Sequence, residues 1–216
     1  MGQNKMQDVS AIVNFLKNWY KKFGRRELWW RRTKLTPYKV FVIETFLWKT
    51  RVNSVKNAAR EFLLEFPDIN SLAKSSPKYL ESKFSNLGLQ KRRSTLLVKA
   101  ANYIVQRCGG EFPKTYEELV RIPGVGQYLA NAILCFGFGQ PTIPVDVNVK
   151  KALENLFGTR IKNIRKIDGD VKKILKKIGE AWGDFKEAAW CLIDFGSHLS
   201  LSKDGRSKIN KTIRDR

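Results

Sequence analysis

Apolar residues recur along this chain at intervals of three and four, the spacing that lines one face of a helix, and almost nowhere in the strict alternation of a strand. Ile12, Phe15, Leu16, Trp19 and Tyr20 form one such stripe; Val55, Ala58, Ala59, Phe62 and Leu63 form another. The pattern repeats in Leu96, Leu97, Ala100, Tyr103 and Ile104, in Leu129, Ala132, Ile133 and Phe136, and in Val171, Ile174, Leu175 and Ile178. Ser76 before Pro77 reads as a helix start, while Gly109-Gly110 and Gly158 read as helix stops. The stripes and stops predict about ten helices, no strand and short connections, an all-α fold.

One corner between helices stands out. Thr115-Tyr-Glu-Glu118 is a capping box, so a short helix is expected to begin there, bury Leu119 and Ile122, and end at Pro123 and Gly124. A second helix is expected from about Gln127. Gly124 and Gly126 both accept positive φ, which would let the backbone amides of Gly124, Val125, Gly126, Gln127 and Tyr128 converge on one phosphate. An ordinary helix-turn-helix corner would look the same. Further on, Ile143-Pro-Val-Asp146-Val-Asn148-Val carries a lone acid, placed either to cap the helix beginning at Val147 or to do chemistry.

Charge narrows the partner. Among 216 residues, 41 Lys and Arg oppose 20 Asp and Glu, a formal net charge of +21 that favours a polyanion. The basic residues are spread through Lys21 to Lys34, Lys91-Arg92-Arg93, Lys150-Lys151, Lys162 to Lys177 and Lys203 to Arg216, each readable singly as a solvated helix face. No stretch approaches the ~20 apolar residues of a membrane span, and Met1 to Ser10 is too polar for a secretory leader. Three scattered cysteines and a single histidine, His198, argue against a disulfide framework, a zinc site and histidine acid-base catalysis. An intracellular, cytoplasmic and nucleoid-associated monomer is expected, with the polar, basic stretch from Ser202 to Arg216 as a loose tail.

Five segments carry a resemblance in their order and spacing: Tyr38 to Thr50 (Tyr-Lys-Val-Phe-Val-Ile-Glu-Thr-Phe-Leu-Trp-Lys-Thr), Asn86-Leu-Gly-Leu89, Gly109-Gly-Glu-Phe-Pro113, Ile122-Pro-Gly-Val-Gly-Gln-Tyr128 and Val145-Asp-Val-Asn148. Together, over roughly residues 12 to 200, they resemble the helix-hairpin-helix (endonuclease III-like) DNA glycosylases, in particular the mismatch branch of adenine and thymine/guanine mismatch enzymes. The resemblance implies two helical domains with the active-site cleft between them. Residues 36–144 would be a six-helix domain carrying the hairpin, and 1–35 plus 145–216 the second domain. The partner would be double-stranded DNA containing a mismatched or damaged base.

The family chemistry asks for few groups. Breaking an N-glycosidic bond builds positive charge on the deoxyribose, so a carboxylate beneath the sugar stabilises the transition state more than the ground state. The resemblance gives that role to Asp146, whether by direct stabilisation, by activating water or by a transient bond. Glu44 lies among residues that favour burial, where desolvation would let it protonate the departing base; the alternative is a solvent-facing glutamate. Tyr128 stands where bifunctional relatives have the lysine that forms a Schiff base, so base removal without strand cleavage is expected; it could also be merely a packed hairpin aromatic. Lys49 keeps a residual lyase activity conceivable.

Substrate choice rests on fewer letters. Adenine enzymes commonly show Gln-Gln where this chain has Trp48-Lys49, and Leu89-Gln-Lys-Arg-Arg93 is closer to thymine mismatch enzymes. No counterpart of the extra domain that many adenine enzymes use on 8-oxoguanine is expected. T or U opposite G is the expected substrate, with A opposite G or 8-oxoguanine as the alternative. Trp48, Lys49, Leu89 and Gln90 are candidates for holding the orphan guanine, with Trp48 on the helix of Glu44; otherwise they are core and surface residues. Trp30 and Arg31, in the basic, tryptophan-containing segment Phe23 to Arg31, and Asn148 are candidates for the base pocket. Trp29 replaces the usual proline there. Thr50 joins the hairpin turn as a candidate phosphate contact.

Many relatives bind a [4Fe-4S] cluster through a four-cysteine loop, but the matching region here, Phe195-Gly-Ser-His-Leu-Ser-Leu-Ser-Lys203, has no cysteine. No cofactor is expected. Carbonyls of Ile122 and Val125 could hold a structural monovalent cation. A rival of another class, a helix-hairpin-helix protein that binds DNA without reaction, would need the turn and the charge but neither Glu44 nor Asp146.

Overall fold

A computed structural model of the chain describes residues 9–164 and 167–201. The basic tail expected from Ser202 lies outside the described residues. Within them the chain is all-α, as its spacing predicts, with no strand and eleven α-helices rather than about ten. None of these helices is long and apolar enough to cross a membrane. The chain divides into two compact units, 27–138 and the described parts of 1–26 with 139–216. The basic, tryptophan-containing segment is therefore split between them after Arg26.

In the 27–138 unit a 3-10 turn (Trp29–Arg31) leads into α2 (Pro37–Leu47), α3 (Val52–Glu65), α4 (Ile69–Ala73), α5 (Pro77–Lys83), α6 (Gln90–Arg107), α7 (Tyr116–Leu119) and α8 (Gln127–Ala132). Capping fixes the starts. Thr36 caps α2 ahead of Pro37, and Ser76 caps α5 ahead of Pro77, each accepting from a backbone amide three residues on. Phe46, Phe62 and Phe84 pack ring against ring at 4.8 to 6.0 Å, and α6, with Leu97, Ala100 and Ile104 buried, packs on α4 and α5. Gly109 and Gly110 end α6 at positive φ, with the Gly110 amide donating back to the Ile104 carbonyl at 3.0 Å.

After α8 the chain widens into a π turn (Ile133–Gly137) that packs on the start of α2. A Cβ at Gly137 would sit 2.8 Å from the Pro37 Cα, so only glycine allows this approach. That contact sets α8 against α2.

The other unit contains α1 (Val9–Phe23), α9 (Val147–Phe157), α10 (Gly169–Trp182) and α11 (Phe185–Leu201). Leu16, Cys191 and Phe195 are fully buried in it, and the Trp19 ring meets Phe195 edge-on at 5.1 Å. Arg25 is pinned to the buried Asp194 by its backbone amide at 2.8 Å and its Nε at 2.7 Å. Gly158, at φ 58°, closes α9 as its position in the sequence predicts.

Candidate functional site

Within the 27–138 unit, the approach of α8 to α2 joins two of the residues singled out by sequence. The Tyr128 hydroxyl donates to Glu44 Oε2 at 3.0 Å, and both side chains are half-buried. Glu44 emerges from a helix whose other residues Phe41, Val42, Ile43 and Phe46 are buried. Trp48 departs from expectation: α2 ends at Leu47, and Trp48 follows it with ψ 111°, so it does not share the helix of Glu44. Its indole is instead covered by the Arg92 guanidinium, 4.3 Å from the ring centroid.

The hairpin corner forms, with two changes from the sequence reading. Thr115 caps α7 as expected, accepting from the Glu118 amide at 3.4 Å. The helix stops at Leu119 rather than at Pro123, and the chain reaches the proline by i→i+3 turns, with the Ile122 amide bonded to the Leu119 carbonyl. Pro123 disfavours a helical Ile122, which tightens these turns. Leu119 and Ile122 are buried as expected. Of the two glycines only Gly124 takes positive φ, 82°, and a Cβ there would meet Leu96 at 2.5 Å. Gly126 is extended at φ −89°, and a Cβ on it would meet nothing within 4 Å. Neither backbone strain nor internal packing accounts for a glycine at 126. Gly124 and Gly126 are exposed, Val125 is buried and Gln127 is half-buried.

Trp30 is buried, its ring edge-on to Trp29 at 5.4 Å, and Arg31 is half-buried beside it. Trp29 Nε1 donates to the Lys56 carbonyl at 2.9 Å, which fixes this turn without a proline. Lys49 and Leu89 are exposed, whereas Gln90 is half-buried and its amide donates to the Ser85 carbonyl at 3.3 Å.

The run Lys91-Arg92-Arg93, readable as a solvated face, is not uniform. Arg93 is wholly buried. Its fork donates to the carbonyls of Thr45, Phe46, Leu87, Gly88 and Trp48 and to the Thr50 hydroxyl. Burial pushes the Arg93 pKa below its ordinary value. Thr50, a candidate for phosphate, thus has its hydroxyl engaged inside the protein. Arg93 is legible in principle, since it falls four residues before Leu97 on the stripe that continues through Ala100 and Ile104. Counted as charge, it is hidden.

In the other unit, Asp146 is the N-cap of α9, which begins at Val147 as the capping reading expects. Oδ1 accepts from the amides of Asn148 at 2.9 Å and Val149 at 2.8 Å, and Oδ2 accepts from Asn148 Nδ2 at 2.8 Å. Burial raises the pKa of this carboxyl, and the three hydrogen bonds pull against that shift. Such a group is half-buried and held in one orientation by its hydrogen bonds. Asn148, a candidate for the base pocket, acts here as the clamp on Asp146. Behind it, a Cβ at Gly196 of α11 would lie 1.9 Å from the Asn148 carbonyl, so α11 braces this turn through bare backbone.

Residues 46–181 match the HhH-GPD superfamily of base excision DNA repair proteins. The chain is 32% identical over 194 residues to an adenine DNA glycosylase of Buchnera aphidicola, covering 89% of this chain and 54% of that protein. It is 35% identical over 158 residues to a thymine/uracil-DNA glycosylase of Pyrobaculum aerophilum, covering 73% of this chain and 68% of that protein. The structure of a thermostable thymine-DNA glycosylase superposes with a TM-score of 0.80 at 22% identity, covering 90% of this chain and 88% of that one, which establishes the fold.

Proposed function

Given that the chain belongs to the HhH-GPD superfamily of base excision DNA repair proteins, we propose that it is a monofunctional DNA glycosylase removing T or U mispaired with G. The observation that carries the chemistry is the Asp146 carboxylate, ordered by Asn148 and Val149 and raised in pKa by burial.

The proposed reaction flips the mispaired nucleotide out of the duplex, which costs less for a mismatch than for a paired base. In this reaction Asp146 attends the sugar, and Glu44, held by Tyr128, attends the base. As the C1′–N bond lengthens, its electron pair leaves with the base and positive charge grows on the sugar. Asp146 lowers the energy of that cation in a poorly solvated setting, where one charge acts more strongly on another. Glu44, held through Oε2 by the Tyr128 hydroxyl, passes its proton to the departing base. Water adds to C1′ and passes its proton to the Asp146 carboxylate, leaving an abasic site. The Tyr128 phenol has no amine with which to form a Schiff base, which supports hydrolysis without strand cleavage.

Gly126 supports the DNA contact. Its missing side chain serves no purpose visible within the protein, but it clears the approach of a phosphate to the turn 124–127. A monovalent cation on the Ile122 and Val125 carbonyls belongs to the same proposal. The Ile122 carbonyl already accepts from the Val125 amide at 3.0 Å, which leaves one lone pair for such an ion. No cofactor is proposed for the reaction.

Trp48-Lys49 and Leu89-Gln90 support guanine as the opposing base. Adenine opposite G or 8-oxoguanine is the second reading, favoured by the breadth of the match to the Buchnera enzyme. Duplexes containing T:G, U:G, A:G and A:8-oxoguanine, incubated and then split with and without alkali, distinguish these readings. Alkali-dependent breaks in the T:G and U:G strands are expected. Breaks only at adenine would transfer the proposal to the second reading, breaks without alkali would mark a lyase, and intact DNA under tight binding would mark a non-catalytic protein. Binding is also expected to weaken by orders of magnitude between ~50 and ~200 mM salt.

A further inference from the structure

Two described residues other than glycine adopt the left-handed conformation, Lys49 at φ 54° and Leu89 at φ 55°. Both are exposed, Leu89 by 40%. L side chains rarely adopt this backbone, and an apolar side chain held in water gains nothing from burial. The folded protein alone therefore offers no return for either choice. Strain of this kind persists only where surrounding structure over-determines it, and it concentrates at functional sites.

What over-determines both is one side chain. The Arg93 fork bonds the Trp48 carbonyl and the Thr50 hydroxyl, on either side of Lys49, and the Leu87 and Gly88 carbonyls, just before Leu89. Nε and Nη2 add the carbonyls of Thr45 and Phe46, at 3.2 and 3.3 Å, in the last turn of α2. These are carbonyls a helix terminus leaves unsatisfied, and a cation suits that end of the helix dipole. Nη2 divides its two protons among three acceptors, so all five donors of the planar fork are used. The Thr50 hydroxyl further joins the two loops by donating to the Leu87 carbonyl at 3.3 Å.

We propose that Arg93 is a positioning residue for reading the opposing base: it locks the 47–50 and 87–89 loops into one unit that presents Lys49 and Leu89 to the orphaned base and the gap in the stack. Leu89 is the apolar wedge and Lys49 the cationic reader. Lysine cannot replace Arg93, because three donors on one nitrogen do not span six acceptors spread around the edge of a planar fork. The inference rests on the glycosylase reading for its biological meaning, but its test does not need a base to be cleaved.

The test measures binding of wild type, Arg93→Lys, the double variant Lys49→Ala/Leu89→Ala and the triple combination to duplexes bearing a tetrahydrofuran abasic analogue opposite G, A, C or T. Wild type is expected to prefer the analogue opposite G. Arg93→Lys is expected to lose at least tenfold of that preference, and to lose nothing further in the background lacking both presented side chains. Thr50→Val, which removes one acceptor and leaves the guanidinium in place, is expected to show the same loss in weaker form, and it carries the test if Arg93→Lys fails to fold. A purely structural Arg93 would lower binding to all four duplexes equally and additively with the double variant. That result, or a wild type indifferent to the opposing base, overturns the inference. Failure of the glycosylase reading shows separately, as intact DNA in the mismatch assay.

Discussion

Tyr128 Oη lies 3.0 Å from Glu44 Oε2, a bond between residues 84 positions apart that ties the helix after the hairpin to the helix of the proposed proton donor. The side chain at 128 therefore decides two things at once: what holds Glu44, and whether an amine can reach a sugar carbon. Tyr128→Lys is expected to gain a borohydride-trappable adduct with abasic DNA, about tenfold or more above wild type, while Tyr128→Phe gains none. Trapping on a denaturing gel checks this. Equal trapping by the phenylalanine variant would transfer any lyase chemistry to another lysine.

Asp146→Asn separates capping from chemistry, because asparagine caps helices about as well as aspartate. Excision of the mispaired base is expected to fall by ~100-fold or more in single turnover. The stability effect has a definite sign. The folded pKa is raised above its ordinary 3.8, so the native state holds its proton more tightly than the unfolded chain. That stability is fully present below 3.8 and is lost as pH rises through the folded value. The substituted amide does not ionise, so the variant should melt no lower than wild type at neutral pH, and its advantage should shrink on acidification. The wild-type excision rate should also fall with acid at a pH above the ordinary aspartate range. A variant with full turnover removes the mechanism.

Gly196→Ala should reach the Asp146 site from behind. The added methyl would stand 1.9 Å from the Asn148 carbonyl, and α11 or the α9 turn must shift to accept it. A loss of roughly 1–3 kcal/mol is expected, together with slower excision, since Asn148 holds both Asp146 oxygens. Thermal melting and single-turnover rates measure the two effects. An alanine variant as stable and as fast as wild type would contradict this packing.

The two hairpin glycines should respond differently. Gly124→Ala meets both positive φ and Leu96, and should destabilise the fold by roughly 1–3 kcal/mol. Gly126→Ala meets neither, so its melting temperature should hold while its affinity for any duplex falls and the salt slope of binding becomes shallower. Unchanged affinity for Gly126→Ala would remove the proposed phosphate contact.

Local rules make much of the fold readable. Helix spacing, Ser76-Pro77, the Thr115 cap, Gly158 and the Asp146 cap all act within a few residues, and the structure reproduces each of them. Sequence and structure part where a distant partner intervenes. The apolar run continuing past Leu47 puts Trp48 on the helix of Glu44, but the carbonyls there are taken by Arg93, from α6. Arg93 itself reads as surface charge. A guanidinium among apolar neighbours is stable only when its donors are met, and five carbonyls scattered over 45–48 and 87–88 leave no mark in the letters.

The order of residues alone determined the helical class, the caps, the basic charge and the family motifs, because these depend on local backbone preference and on composition. Tertiary structure alone decided that Tyr128 bonds Glu44, that Gly126 carries no strain, and that a buried arginine joins two exposed left-handed residues. Each of those depends on groups brought together by packing. A hydrogen bond of 3.0 Å requires a meeting in space that sequence separation does not encode.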